Sequence, residues 1–194
     1  MVLTLRFTPD SMTHTYIPIA FTASALKAKE IMGAYPFATF ITVHDGVPFV
    51  TQIPMVFRDE HTLIGHTARA NPHSAALLAE AAPIQAAMQF TGVNGYISPA
   101  WYAVNTGVPT WNYETVQARG MVKLIEGLPS TEAVVKALID AFDTQPELVK
   151  QAWADSPQKS QAAQLGAILA FEVQLSTCVA KTKLSQNRPQ VDRP

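Results

Sequence analysis

The chain has 194 residues, of which 48% are hydrophobic and 15% are charged, and its formal net charge is −1. This length suits one domain that buries enough surface to fold without a disulfide or a metal. The composition excludes intrinsic disorder as the main state, and a net charge near zero offers no general attraction for a polyanion. The low charged fraction is consistent with a partner subunit that covers part of the surface.

The sequence also indicates a compartment. Its single cysteine, Cys178, cannot form an internal disulfide, which fits a reducing environment and favours a buried, inert thiol. No run approaches the roughly 18 consecutive apolar residues of a membrane span, and the first residues lack the apolar core of a secretory signal. We therefore expect a cytoplasmic protein.

Hydrophobic periodicity predicts the elements in chain order. Helical spacing predicts helices over residues 28–35, 74–80, 129–142 and 148–153. Alternating or β-branched residues predict strands over residues 38–43, 47–57, 61–66, 84–90, 116–124 and 171–175. Thr22 or Ser24 is a candidate cap for the first helix, Asp45-Gly46 is a hairpin turn, and Gly120 suggests a bulge. Antiparallel strands, a helical insert at about 130–165 and a final strand predict an α+β protein built on a β-barrel, with a polar tail at about 181–194.

The segment GHTARANPH, residues 65–73, predicts an anion-binding site. A strand ends near Thr67, Arg69 follows in the turn, and Asn71-Pro72 is typical of a helix start. Free N–H groups and the positive end of the helix dipole would gather there, and Arg69 could add a two-pronged contact to a phosphate or carboxylate. The alternative is that Asn71 only caps the helix and Arg69 is solvated.

Aromatic residues are concentrated in YISPAWY (96–102) and VPTWNY (108–113). Such a cluster suits a flat conjugated ligand, whose face stacks on the rings while an amide such as Asn112 fixes its edge. Ordinary core and rim packing is the alternative.

Other chemistries lack a motif. There is no H-E-x-x-H, C-x-x-C, G-x-G-x-x-G, P-loop or G-x-S-x-G sequence, so no metal site is predicted and no catalytic residue is named. The tail carries Lys181, Lys183, Arg188 and Arg193, a modest patch diluted by Asp192 that a solvated tail would explain. Without a basic recognition helix, direct DNA binding is not expected.

Six motifs together resemble one family. HTYIPIAF, QIPM, GHTARANPH, YISPAWY, VPTWNYETVQARG and KLSQNRPQVDR occur in the order seen in the PaiB-like FMN-binding proteins, from about Tyr16 to Arg193. The resemblance implies an FMN-binding split β-barrel with peripheral helices, related to the pyridoxamine-phosphate-oxidase-like flavoproteins, and a homodimer. Members are commonly labelled negative transcriptional regulators, after a role in sporulation and protease control.

The resemblance also implies a cofactor site. Arg69 would pair with the FMN phosphate, and His66, Thr67 and Asn71 would add hydrogen bonds. The residues that it implies around the flavin ring are Ile53, Pro54, Trp111 and Asn112. The residues of the C-terminal motif that would reach the cofactor, from the same chain or from a partner chain, are Lys183, Ser185, Gln186 and Asn187.

The chain departs from the family at three positions. Many relatives have His in place of Gln52, Trp in place of Thr182 and Ser in place of Ala100. Gln52 removes a titratable group near the expected ring, and Thr182 removes apolar area. Relatives tend to begin almost directly at the YIP motif, so residues 1–15 are interpreted as an N-terminal extension to a single domain over 16–194, with Met12 as the hypothetical functional start.

Three functions remain open at this point. The leading hypothesis is an FMN-binding homodimer with a redox role, such as a flavin reductase or a small-substrate oxidoreductase, for which no residue names the substrate. The second is a flavin-dependent transcriptional regulator that acts through a protein or DNA. The third is haem binding on the same barrel, for which the candidate ligands are His14, His44, His61, His66 and His73.

Overall fold

The computed structural model describes residues 15–103 and 107–193. Within them, the strands are β1 (Phe37–His44), β2 (Val47–Pro54), β3 (Val56–Asp59), β4 (Thr62–Ala68), β5 (Ile84–Ile97), β6 (Thr110–Leu124) and β7 (Ile168–Lys183). The α-helices are α1 (Ala25–Ala34), α2 (Pro72–Ala79), α3 (Leu128–Phe142), α4 (Pro146–Ala154) and α5 (Gln158–Gly166). Short 3-10 turns lie at Ile19–Phe21, Pro99–Trp101 and Gln190–Asp192. The predicted α+β class is confirmed.

The strands form one antiparallel sheet in the order β2-β1-β5-β6-β7-β4-β3. The two edge strands, β2 and β3, are consecutive in the chain and are separated only by Met55. The sheet therefore curls until its edges approach each other, which gives a split barrel. The prediction of one continuous strand over residues 47–57 is wrong, because the strand is interrupted at Met55. The amide of Met55 donates a hydrogen bond to the carbonyl of Pro36 at 2.9 Å.

Helix α1 packs against the apolar interior of the curled sheet. The side chain of Ser24 caps it by accepting a hydrogen bond from the amide of Lys27 at 3.2 Å, so of the two predicted caps Ser24 is the one used. The buried residues of α1 and of the sheet that share the core include Ala28, Ile31, Met32, Phe40, Met88, Phe90, Val116, Phe171 and Val173. Lys27 also lies 3.4 Å from the buried carboxylate of Glu114 on β6, and this raises the pKa of the lysine.

Helices α3 to α5 occupy the chain between β6 and β7. Val134 and Leu138 of α3 pack with Ile64 and Ala170 on the outer face of the sheet. The sequence pattern did not separate α5 from α4, because α5 is mostly polar and buries only Leu165. No helix in the described part of the chain has both the length and the hydrophobicity of a membrane span.

Gly120 sits at an irregularity between β6 and β7. The register shifts between Arg119 and Gly120, so the predicted bulge is confirmed. A Cβ atom at Gly120 would lie 2.2 Å from the carbonyl oxygen of Gln174, because the two backbones approach each other too closely for any side chain.

We expect the substitution Gly120→Ala to lower the free energy of unfolding by about 2–3 kcal/mol, since the added methyl group must push two backbones apart. The matched control is Gly95→Ala, also within a strand, where nothing lies within 4 Å of the added carbon. The measurement is the midpoint of urea unfolding. Equal midpoints for the two variants would contradict the assignment of a close approach at Gly120.

Cys178 is buried within β7, as predicted. Burial raises the pKa of the thiol to about 12, so almost no thiolate is present near neutral pH. We expect iodoacetamide at pH 8 to leave the native chain unmodified and to label one site per chain in urea, as measured by intact mass. Labelling of the native protein at the rate seen in urea would show that the thiol is accessible.

Candidate functional site

The turn between β4 and α2 carries the GHTARANPH segment. Asn71 caps α2, because its side-chain oxygen accepts a hydrogen bond from the amide of His73 at 2.9 Å. The amides of Ser74 and Ala75 donate to the backbone carbonyl of Asn71 at 2.9 and 3.4 Å. The prediction of free N–H groups at this helix start is therefore wrong for these three amides, since the cap already uses them. The helix dipole and Arg69 remain as the attraction for an anion.

Arg69 is the available cation of this turn. Its amide donates to the carbonyl of Ala167 at 2.8 Å, which ties the turn to the beginning of β7. Its side chain is exposed and makes no hydrogen bond or ion pair with any residue that the structure describes. The guanidinium can therefore bind an anion from solution without breaking an internal contact.

Polar side chains lie beneath the turn. The side-chain nitrogen of Asn71 donates to the hydroxyl of Thr67 at 3.3 Å and to that of Thr51 at 3.4 Å. Thr51 also contacts Nδ1 of the buried His73 at 2.9 Å. Thr51 was not a predicted site residue. No local sequence signal marks it, because it reaches the turn only when β2 and β4 meet across the barrel.

The side chains of His66 and Thr67 lie on opposite faces of β4. Successive residues of β4 point to opposite faces of the sheet, so Thr67 shares the inner face with Gly65, whereas His66 shares the outer face with Ile64. Burial lowers the pKa of His66 and favours its neutral form. The structure thus brings Thr67 and Asn71 together and leaves His66 on the other face.

Ile53 and Pro54 end β2 beside β4. A Cβ atom on Gly65 would lie 3.2 Å from the carbonyl oxygen of Pro54 and 3.3 Å from a methyl group of Ile53, so the glycine permits the close approach of the two strands. The side chain of Ile53 is fully buried in the core. The expectation that Ile53 offers apolar surface to a flavin ring is wrong for its side chain, and only the half-buried Pro54 and the backbone can serve.

The other predicted residues lie where β6 begins and β7 ends. Asn112 donates to the hydroxyl of Ser185 at 2.9 Å, and the ammonium group of Lys183 donates to the hydroxyl of Thr110 and to the carbonyl of Trp111. The side-chain oxygen of Asn112 is buried without a partner among the described residues. An orphaned buried acceptor of this kind fits a ligand that supplies an N–H donor.

The C-terminal segment is folded back onto this region. The side chain of Gln186 stabilises this turn with two hydrogen bonds. Its nitrogen donates to the backbone carbonyl of Thr182 at 2.6 Å, and its oxygen accepts from the backbone amide of Leu184 at 2.7 Å. The guanidinium of Arg188 lies 4.5 Å from the centre of the Tyr102 ring. The alternative that the cations of the tail are simply solvated is therefore wrong for Lys183 and Arg188. Asn187, between them in the chain, is exposed.

An open cleft of about 480 Å³ lies next to Trp111 on the outer face of β5 and β6. Its lining residues are Thr15, Tyr16, Gln89, Thr91, Asn94, Trp111, Tyr113, Thr115, Gln117 and Lys181. The ammonium group of Lys181 lies 5.2 Å from the ring centre of Tyr113 and 5.8 Å from that of Tyr16. Trp111 also meets Tyr96 edge-on at 6.3 Å between ring centres. Most rings of the predicted aromatic cluster are therefore exposed and lie at the edge of this cleft.

One chain does not bring the two sets of predicted residues together. Thr67 pairs with Leu169 at the beginning of β7, whereas Tyr113 pairs with Lys183 at its end. These positions are roughly 45 Å apart along the strand at about 3.3 Å per residue. We call the residues at the two ends the turn set (Thr51, Thr67, Arg69 and Asn71) and the ring set (Trp111, Asn112, Lys183 and Ser185).

The candidate haem ligands differ in availability. His44 lies 2.9 Å from a carboxylate oxygen of Glu80, and both ring nitrogens of His73 contact threonine hydroxyls. His61 has a buried Nδ1 without a partner in the described part of the chain, and His14 lies outside the described residues. Across residues 15–103 and 107–193, no group of three His, Cys, Asp or Glu side chains is arranged to hold a metal ion.

Comparison with known proteins relates this architecture to flavin proteins. The family described as "Putative FMN-binding domain" matches residues 15–177. The chain is 31% identical to the protease synthase and sporulation protein PAI 2 of Bacillus subtilis strain 168 over 185 residues, which cover 91% of this chain and 84% of that protein.

Solved structures show the same fold. The flavocytochrome Anf3 from Azotobacter vinelandii is similar with a TM-score of 0.67 and 19% identity, over 90% of this chain and 74% of that one. The FAD and heme binding protein from Mycobacterium smegmatis is similar with a TM-score of 0.55 and 21% identity, over 82% and 71%. The curled sheet, the matched motifs and the family match agree, and the chain belongs to the FMN-binding domain family, with a split β-barrel fold and FMN as its cofactor.

Proposed function

We propose that the protein is a homodimeric flavoprotein of the cytoplasm that holds FMN between two subunits and uses it for redox chemistry on a small substrate. The observation that supports this most strongly is the separation of the turn set and the ring set, each of which has an unused binding group. Within the part of the chain that the structure describes, Arg69 is an unpaired cation at one end of the sheet, and Asn112 has an orphaned acceptor at the other.

The turn set fits the phosphate of FMN. Arg69 supplies a guanidinium that matches a phosphate in a two-pronged geometry, and the beginning of α2 adds the positive end of a helix dipole. Thr67 and Asn71 supply a hydroxyl and an amide beside it. We assign the phosphate to this end because all of these groups favour negative charge. His66 would contribute only from the rim, since it faces the other side of β4.

The ring set fits the flavin ring. The orphaned oxygen of Asn112 can accept from the imide N–H of the isoalloxazine. Trp111 precedes Asn112 on β6 and faces the opposite side of the strand, so it lies at the rim of this end and does not cover the same ring. Lys183 and Ser185 lie at the same end and supply donors for the ring carbonyls. The turn that holds Ser185, which has φ of 67° and is buried, fixes the position of this hydroxyl.

A second subunit would bring the two sets together. The outer faces of β1, β2 and β5 carry no charged side chain in their central part, where Ile41, Val43, Val50 and Ala87 lie beside glutamines and threonines. Val43 and Val50 are 60% and 59% exposed in the single chain. A broad uncharged face of this kind is typical of a surface that another subunit covers.

FMN supplies the chemistry in this proposal, because the bound flavin exchanges electrons and the protein provides binding, orientation and exclusion of water. The regulator hypothesis predicts a different behaviour. Turnover of reduced nicotinamide by the FMN-loaded protein would support the redox role, whereas salt-sensitive and sequence-specific retention of DNA would support a regulator.

We expect Arg69→Ala to weaken FMN binding about 10- to 100-fold, since a charge-assisted contact to the phosphate is lost, and to change riboflavin binding by less than about twofold. The measurement is titration of each flavin by fluorescence quenching. Lys136→Ala, which removes an exposed cation from α3, is the control and should bind both flavins normally. Equal losses of FMN and riboflavin binding would contradict the phosphate role of Arg69.

We expect the native protein to sediment at twice the 21.1 kDa of one chain and Val50→Asp to sediment as a monomer, because the proposed interface would bury an unpaired charge. Leu148→Asp places the same charge on another exposed apolar residue, on α4, and should remain dimeric. A monomeric native protein, or a dimer that tolerates Val50→Asp, would contradict the assigned interface.

A further inference from the structure

His73 is a fully buried histidine whose two ring nitrogens are both engaged. Its Nε2 lies 2.8 Å from the hydroxyl of Thr42, and its Nδ1 lies 2.9 Å from the hydroxyl of Thr51. Phe40 and Phe49 pack against the ring with centres 5.1 and 5.6 Å away. The side chain is 2% exposed, so neighbours on every side fix the orientation of the ring.

The contacts of His73 lead to the turn set. Thr51 bonds to the histidine on one side and accepts from the side-chain nitrogen of Asn71 on the other. Asn71 in turn reaches Thr67 and accepts from the amide of His73 itself. These contacts form a closed circuit of hydrogen bonds, which fixes one hydroxyl and one amide at the turn that carries Arg69.

The contacts of Asn71 also show where a ligand could enter. Its side-chain oxygen is held firmly at 2.9 Å by the helix cap, whereas the two bonds from its nitrogen, at 3.3 and 3.4 Å, are long. A phosphate oxygen can take over one of these long contacts at little cost. The remaining contact to Thr51 then keeps the amide pointed at the anion.

We propose that His73 and Thr51 are positioning residues that orient Asn71 and Thr67 toward the flavin phosphate and thereby set the preference for FMN over riboflavin. This inference rests on the proposed function of the turn set. Burial lowers the pKa of His73 and so favours the neutral ring, which can accept from one threonine hydroxyl while donating to the other. A neutral ring fixes the hydroxyl of Thr51 without adding a competing charge beside Arg69.

The test compares three threonine variants in the full chain. Thr51→Val keeps the shape but removes the hydroxyl that joins His73 to Asn71, and we expect it to weaken FMN binding about tenfold while riboflavin binding stays within about twofold. Thr51→Ser restores the hydroxyl and should restore FMN affinity. Thr62→Val removes the hydroxyl of another buried threonine of the barrel, which bonds to Gln174 and contacts neither His73 nor Asn71, so it should leave the ratio of the two affinities unchanged.

Fluorescence titration with FMN and with riboflavin gives the ratio of FMN affinity to riboflavin affinity, and thermal unfolding verifies that each variant is folded. If Thr51→Val leaves the ratio unchanged while Arg69→Ala lowers it, the phosphate site stands and the positioning role is overturned. If Thr62→Val lowers the ratio as much as Thr51→Val, the effect comes from the core as a whole and the proposal is again overturned. A native protein that binds neither flavin overturns the proposed function and this inference together.

Discussion

The closure of the sheet is the constraint on which the other features of the molecule depend. Met55 alone connects the two edge strands, so the sheet must curl until β2 lies beside β4. Gly65 makes the contact possible, because a side chain there would press on the carbonyl of Pro54. This meeting of strands carries Thr51 to the turn after β4. Without it, Asn71 would cap its helix, but no hydroxyl from β2 would hold it.

The same sheet explains why the proposed cofactor residues are divided between two ends of the chain's fold. β7 is a continuous strand of 16 residues that pairs with β4 at one end and with β6 along its length. This length keeps Arg69 and Lys183 apart, and the one bulge in the ladder, at Gly120, bends the strand without ending its pairing. A protein that holds one mononucleotide with both sets needs two chains. The low charged fraction and the uncharged outer face of β1, β2 and β5 agree with that arrangement.

The buried polar side chains of this protein differ in whether their hydrogen-bonding atoms have partners within the chain. Each ring nitrogen of His73 contacts a threonine hydroxyl, so the orientation of the ring is fixed. Glu114 forms an ion pair with Lys27 that joins α1 to β6. The side-chain nitrogen of Asn112 is bonded, and its oxygen has no partner among the described residues. Because an unsatisfied buried acceptor is costly, a ligand that donates a hydrogen bond to this oxygen would remove that cost.

The sequence by itself determined most of the elements, apart from α5 and the break at Met55, because periodicity, caps and turn residues are local. Ser24, Asp45-Gly46 and Gly120 each act within a few residues or one strand pair. It also named the family, because long motifs survive as strings of residues. Only the tertiary structure decided which side chains share a surface. His66 and Thr67 are neighbours in the chain yet face opposite sides of β4, because strands alternate. Thr51 and Asn71, distant in sequence, meet because the sheet closes.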